Sequence, residues 1–169
     1  RKPEKDYKLT IDKSVKDVWP YAVCAIVRGL KLNDERIKNL IDIQEKITGS
    51  IGRNRRKLGL GIYPLDKIKL PIEFLAKKPE EISFIPLESK KKMNGREILR
   101  KHPTGIEYAQ LLKKKEKFPI FIDAENNLLS MPPIINSEDT GRITEKTSDI
   151  FIEGTGTNLP ALKKAVNIL

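Results

Sequence analysis

The chain has 169 residues, 38% of them apolar, with 33 Lys and Arg against 23 Asp and Glu and a formal net charge of +10. That size suits one domain burying about 70% of its unfolded surface, and one cysteine (Cys24) with one histidine (His102) excludes an intrachain disulfide and a self-contained Cys/His zinc site. No stretch approaches the roughly 18 apolar residues of a membrane span and no signal-peptide pattern is present, so a soluble, intracellular protein is expected.

Residues 1–20 read as a charged lead-in with a short strand near Tyr7–Ile11. The apolar run Tyr21–Leu30 predicts a strand buried on both faces, with Cys24 inside it as a small buried hydrophobe. Asn33 is a plausible N-cap, followed by Asp34 and Glu35 in the first turn. Behind it Ile37, Leu40, Ile41, Gln44, Ile47 and Ile51 share one face, which predicts an amphipathic helix over about 34–50. Strands are expected at 58–63, 72–77 and 82–86, punctuated by Pro64, Pro71, Pro79 and Pro86. Gly59-Leu60-Gly61 reads as a glycine-kinked strand rather than a dinucleotide loop. A short helix near 94–101 follows, and Thr104-Gly105-Ile106-Glu107 has the form of a capping box opening a helix to about Lys115. His102, just before Pro103, reads as a surface or cap residue.

Phe118–Ile122 and Leu128–Ile135 look like strands joined by a turn over Ala124–Asn127. Tandem prolines cannot donate to a ladder, so the second strand must break at Pro132-Pro133 or lie at an edge. Broken there, it offers rigid walls with exposed polar groups at Ser130, Asn136 and Ser137, the makings of a small-molecule pocket. Asp149–Glu153 predicts a strand that delivers a carboxylate and two threonines onto the glycine-flanked turn Gly154-Thr155-Gly156-Thr157. Asn158 caps a final helix with Leu162, Ala165, Val166 and Leu169 on one face. The expected fold class is mixed α/β, one compact domain.

The basic residues cluster at Arg53–Lys57, Lys90–Lys92 and Lys113–Lys117. A polyanionic partner and a solvated lysine-rich surface both account for them. Aromatics are only 6% of the chain and are not interleaved with the basic runs, so a stacking signature for single-stranded RNA is weak. Phosphate-loop, nucleophile-elbow and metal-helix motifs are missing.

Four strings occur in order: Ile-Gly-Arg-Asn-Arg-Arg (51–56), Leu-Gly-Leu-Gly-Ile-Tyr-Pro-Leu-Asp (58–66), Leu-Ser-Met-Pro-Pro-Ile-Ile-Asn-Ser (129–137) and Arg-Ile-Thr-Glu-Lys-Thr-Ser-Asp-Ile-Phe-Ile-Glu-Gly-Thr-Gly-Thr (142–157). From about Tyr21 to Leu169 the sequence closely resembles the central editing domain of phenylalanyl-tRNA synthetase beta subunits of the archaeal and eukaryotic type. The resemblance implies a β-sandwich of unusual topology flanked by helices, with residues 21–169 as the editing domain and 1–20 as a lead-in packed on it. It implies a cytoplasmic fragment of a longer subunit, partnered by the alpha subunit in an (αβ)₂ synthetase and by tRNA(Phe) carrying the wrong amino acid. ATP and magnesium belong to the whole synthetase, and neither a cofactor nor a metal is expected in this domain.

The reaction implied is hydrolysis of the ester joining tyrosine to the tRNA. A hydrophobic pocket rejects an added hydroxyl only about 100-fold, so a second site that hydrogen-bonds that hydroxyl can reverse the preference. Matched motif by motif, the resemblance assigns the chemistry to Ser130, Glu153 and Thr155, and substrate contact to Phe121, Pro132, Pro133, Asn136 and Ser137. Glu153 is expected to accept the tyrosine hydroxyl as an ionised carboxylate, and Ser130 to form no acyl-enzyme because its motif holds no base. Arg55 and Arg56 are expected to meet tRNA phosphates. A non-catalytic tRNA-binding or scaffolding module is the alternative.

Overall fold

Backbone pairing and side-chain period set the elements of the computed structural model, which describes residues 7–169; the first six residues of the expected lead-in lie outside that range. In chain order they are β1 (Leu9–Ile11), β2 (Tyr21–Val27), α1 (Asp34–Gly49), β3 (Leu58–Pro64), β4 (Ile72–Lys77), β5 (Ser83–Phe84) and β6 (Met93–Asn94). Then come α2 (Gly95–Lys101), α3 (Pro103–Tyr108), β7 (Phe118–Ile122), β8 (Leu128–Met131), β9 (Ile135–Asn136), α4 (Glu138–Gly141), β10 (Ile150–Gly156) and α5 (Leu159–Ile168).

Two sheets face each other, a five-stranded one of order β1-β4-β7-β8-β9 and a three-stranded one of order β2-β10-β3. Neighbours are antiparallel except β1 and β4, which run parallel. The core between the sheets combines Tyr63 and Phe151 with Phe74, Phe121 and Leu129, and Val15 and Trp19 close it at one side. The outer face of the three-stranded sheet, including Leu58, Leu60, Ile62 and Ile152, packs on Ile47 of α1 and on Leu162, Ala165 and Val166 of α5. The outer face of the five-stranded sheet packs Phe118 and Ile120 on Ile98 and Leu99 of α2. A helix-flanked β-sandwich of mixed α/β class is therefore the observed architecture.

Local chemistry explains the helix starts. The Asn33 side chain accepts from Arg36 N at α1, and Asn158 accepts from Ala161 N at α5. A capping box forms between Asn94, the N-cap of α2, and Glu97, while α3 starts without a side-chain cap at Thr104. Pro103 opens α3, which ends at Tyr108 and passes into a 3₁₀ turn at Ala109–Leu111, so the helix expected to Lys115 is shorter. The turn after β7 is organised by Asp123, whose carboxylate accepts from the backbone of Lys69, Glu125 and Asn127.

Three further expectations change. β2 stops at Val27 and is the outer strand of its sheet, so Tyr21 is 40% exposed and the rest half-buried rather than enclosed on both faces. β10 runs on to Gly156 because β2 and β3 pair with it along its whole length, so Gly154–Gly156 is strand and not turn. His102 is 6% exposed: it joins α2 to α3 as a cap, and its Nε2 lies 3.1 Å from the Leu87 carbonyl.

Candidate active site

In β10, side chains alternate between the helices and the opposing sheet. Phe151, Glu153 and Thr155 therefore share the inner face, with Cys24 of β2 and Gly61 of β3 opposite Glu153 in register. An inward carboxyl in a sandwich core needs room, and Gly61 supplies it. A methyl there would stand 2.8 Å from both Glu153 Cγ and Oε1 and 3.0 Å from the Tyr63 hydroxyl. From the facing sheet Ser130 Oγ donates to the carboxyl, 3.3 Å from Oε1 and 3.4 Å from Oε2. Glu153 is 3% exposed, and the loss of water raises its pKa to about 8 against the pull of the Tyr63 and Ser130 hydroxyls. At neutral pH the protonated acid predominates, a form able to donate as well as accept. The ionised acceptor expected from sequence is replaced, because no cation among the described residues pairs with it.

This carboxyl forms part of a cavity of about 310 Å³. Its walls are apolar at Leu60, Ile62, Pro132, Pro133 and Ile134, and its polar groups include Glu153, Thr155 and Asn136. Thr155 Oγ1 is buried without a protein hydrogen-bond partner among the described residues and belongs to the cavity lining, so a ligand or water there would satisfy it. The Asn136 carboxamide is fixed at both ends: Oδ1 accepts from the Tyr63 hydroxyl at 3.2 Å and Nδ2 donates to the Ile62 carbonyl at 3.3 Å.

The proline wall is a turn between β8 and β9, with Ser130 opposite Asn136 in register. It is held from two sides. A methyl on Gly59 would meet Pro133 Cβ at 2.8 Å, so the glycine lets β3 lie against the proline. Arg55 Nη1 donates to the carbonyls of Pro133 at 3.3 Å and Ile134 at 2.8 Å, while Nη2 pairs with Glu45 at 2.8 Å. The guanidinium also lies over the Tyr108 ring, 4.4 Å from its centroid. Arg55 is thus committed to the cavity rim, and the expectation that it meets phosphate is corrected.

Of the residues singled out from sequence, Glu153, Thr155, Pro132, Pro133 and Asn136 line one cavity. Ser130 is not exposed as expected but 1% accessible, behind Glu153. Phe121, fully buried, does not line the cavity; it stacks on Phe74 with ring centroids 4.6 Å apart. Ser137 is 2% exposed, directly before α4, and does not line the cavity either. Sequence reasoning missed Tyr63 and the place of Arg55 at the cavity rim, and read the alternating glycines at 59 and 61 as a kink. Their spacing of two on one strand was the available signal, since it clears a single face.

The site holds no activated nucleophile. Burial pushes the Cys24 thiol up, with Glu153 adding to the shift, and burial likewise raises the carboxyl nearest Ser130 to about 8, so its protonated form predominates at neutral pH. Among the described residues no group of three or more His, Cys, Asp or Glu is placed to hold a metal ion, and no helix is long and apolar enough to cross a membrane.

Residues 18–167 match the family described as B3/4 domain. The chain is 45% identical over 164 residues to the phenylalanine–tRNA ligase beta subunit of Thermococcus onnurineus, covering 97% of this chain and 28% of that one. It is 41% identical over 172 residues to the subunit of the same name from Methanosphaera stadtmanae, covering 99% and 31%. Its fold matches the crystal structure of an N-terminal fragment of the phenylalanyl-tRNA synthetase beta subunit from Pyrococcus horikoshii with a TM-score of 0.92 and 44% identity, over 99% of this chain and 49% of that one. The chain thus spans about three-tenths of the length of these two curated relatives.

Proposed function

This chain belongs to the B3/4 domain family, and on that premise we propose that its cavity hydrolyses the ester of tyrosine wrongly attached to tRNA(Phe), as the editing site of a cytoplasmic phenylalanyl-tRNA synthetase working with an alpha subunit. The observation that carries this reading is the buried Glu153 carboxyl, its pKa raised to about 8, in a cavity that also presents apolar walls at Leu60, Ile62 and the two prolines. A tyrosine ring fits between the prolines and the aliphatic wall, and its hydroxyl finds a donor and an acceptor in one group. Phenylalanine would leave that group short of a partner, which costs about 1–3 kcal/mol, a preference of roughly 5- to 150-fold.

The chemistry needs only water. It adds to the ester carbonyl carbon, the tetrahedral oxyanion collapses, and the bond to the ribose oxygen breaks. A proton derived from the water ends on that oxygen, releasing tyrosine and intact tRNA. Thr155, with its unpartnered hydroxyl, is the group this chain offers to hold the water or the ester. Ser130 acts behind the carboxyl, orienting Glu153 by its hydrogen bond.

Deacylation of Tyr-tRNA(Phe) and Phe-tRNA(Phe) by the intact protein tests the proposal. The tyrosyl ester is expected to be cleaved much faster, and Glu153→Ala to erode the difference. A protein that binds tRNA(Phe) yet cleaves neither ester would be a binding or scaffolding module, and the hydrolytic reading would fall. Mass spectrometry after mixing with Tyr-tRNA(Phe) checks the water mechanism: no tyrosyl ester is expected on Ser130, and finding one would replace water by a covalent route.

A further inference from the structure

Tyr63 lies on the inner face of β3, two residues beyond Gly61, and is fully buried. A phenylalanine would fill the same space without a hydroxyl to satisfy. Here the hydroxyl donates to Asn136 Oδ1 at 3.2 Å, and Asn136 Nδ2 donates onward to the Ile62 carbonyl. The same hydroxyl lies 3.0 Å from the point where a Gly61 side chain would begin, and Glu153 Oε1 lies 2.8 Å from that point. Tyr63 therefore stands between two polar groups of the cavity, Asn136 from one sheet and Glu153 from the other, without itself lining it.

We propose that Tyr63 is a positioning residue for selectivity: it holds the Asn136 carboxamide and the Glu153 carboxyl in the orientation that recognises a hydroxyl at the end of an aromatic side chain. The proposal rests on the hydrolytic reading of the cavity and adds a residue to it. The phenol stays protonated, since burial and the neighbouring carboxyl both raise it, so it is a permanent donor. The titratable groups facing Glu153 are Tyr63 from β3 and Cys24 from β2, and Glu45, Arg55, Glu88 and Arg142 line the same cavity. Burial drives the Glu153 pKa up and the hydroxyls of Tyr63 and Ser130 hold it down.

The test is Tyr63→Phe in the intact protein, with two readouts. Carbon-13 titration of the Glu153 carboxyl is expected to move to higher pH, because the Tyr63 hydroxyl, whose one proton turns from Asn136 to the carboxylate when Glu153 ionises, is gone. In parallel, kcat/KM for Tyr-tRNA(Phe) is expected to fall about tenfold, the size of one buried hydrogen bond, with Phe-tRNA(Phe) unchanged. Equal losses on both esters with an unmoved Glu153 titration is what a packing role produces, and that result overturns the proposal. If the wild-type protein cleaves neither ester, the functional reading fails and the titration alone decides the placement of Tyr63: a shift upholds it, an unmoved curve overturns it. Should Tyr63→Phe not fold, Asn136→Ala removes one acceptor of the Tyr63 hydroxyl and leaves Glu153 as the carboxyl acceptor beside it, with Ser130 still in contact. The Glu153 titration must then move to lower pH, and an unmoved one overturns the proposal.

Discussion

A carboxyl that keeps its proton to about pH 8 inside the fold ties stability to pH in a definite direction. Its ordinary value is 4.5, so between pH 4.5 and 8 the folded state holds a proton that the unfolded chain has released. Stability is fully retained below that window and falls as pH rises through it. Glu153→Gln keeps the shape, donor and acceptor but cannot ionise. Denaturant unfolding is expected to find the variant and the wild type similar at pH 4.5 and the variant more stable at pH 8. The difference should be about a few kcal/mol, because each pH step across the window weighs about 1.4 kcal/mol. Equal midpoints at pH 8 would mean that Glu153 ionises freely in the fold. Gly61→Ala probes the same site sterically. Its methyl would collide with Glu153 and Tyr63, so a loss of about 1–3 kcal/mol is expected from overpacking, read as a lower denaturant midpoint.

At the scale of elements, the link from α1 to β3 decides the shape of the cavity rim. Arg53, Asn54 and Arg55 have φ values of 50°, 52° and 62°, a left-handed run that costs about 1–2 kcal/mol at each arginine and less at the asparagine. The tertiary return is the placement of Arg55 against the Pro133 and Ile134 carbonyls and Glu45. Arg55→Met is expected to lower stability by about 1–3 kcal/mol, because it strands buried acceptors, and Arg55→Lys to recover only part, since a lysine lacks the planar fork. Arg53 is exposed and its side chain holds no part of the rim. Arg53→Gly should therefore raise stability by several tenths of a kcal/mol or more, read as a higher denaturant midpoint. A fall would show that the side chain contributes to the turn.

Across the whole molecule, the net charge of +10 is carried largely by lysines on the surface. Lys90, Lys91 and Lys92 and the run Lys113, Lys114, Lys115 and Lys117 are exposed, as is Arg56. Such groups give phosphate affinity without amino-acid selectivity. Replacing Lys113, Lys114 and Lys117 by Gln is expected to flatten the salt dependence of tRNA(Phe) binding, by about 0.7–0.9 in slope per lost contact, with the Tyr/Phe ratio unchanged. An unaltered slope would take this run off the RNA path. The two kinds of measurement separate cleanly because the lysines are solvated while the groups proposed to select tyrosine are enclosed between the sheets.

Local chemistry by itself determined the caps at Asn33 and Asn158, the strands spaced by prolines, the break at Pro132-Pro133 and the helix face that carries Ile47, because each depends on residues within a few positions of one another. The resemblance carried by the pocket strings also pointed to Glu153, Thr155, Asn136 and the prolines, which line one cavity. Only the tertiary structure decided that Tyr21–Val27 is an outer strand, that Ser130 serves Glu153 from behind, and that Phe121 packs on Phe74 instead of facing the cavity. It also assigned Arg55 to carbonyls 78 and 79 residues away and set the protonation of Glu153. Those outcomes depend on which face of one sheet meets the other and on how much water is expelled there, and neither quantity exists until distant segments pack.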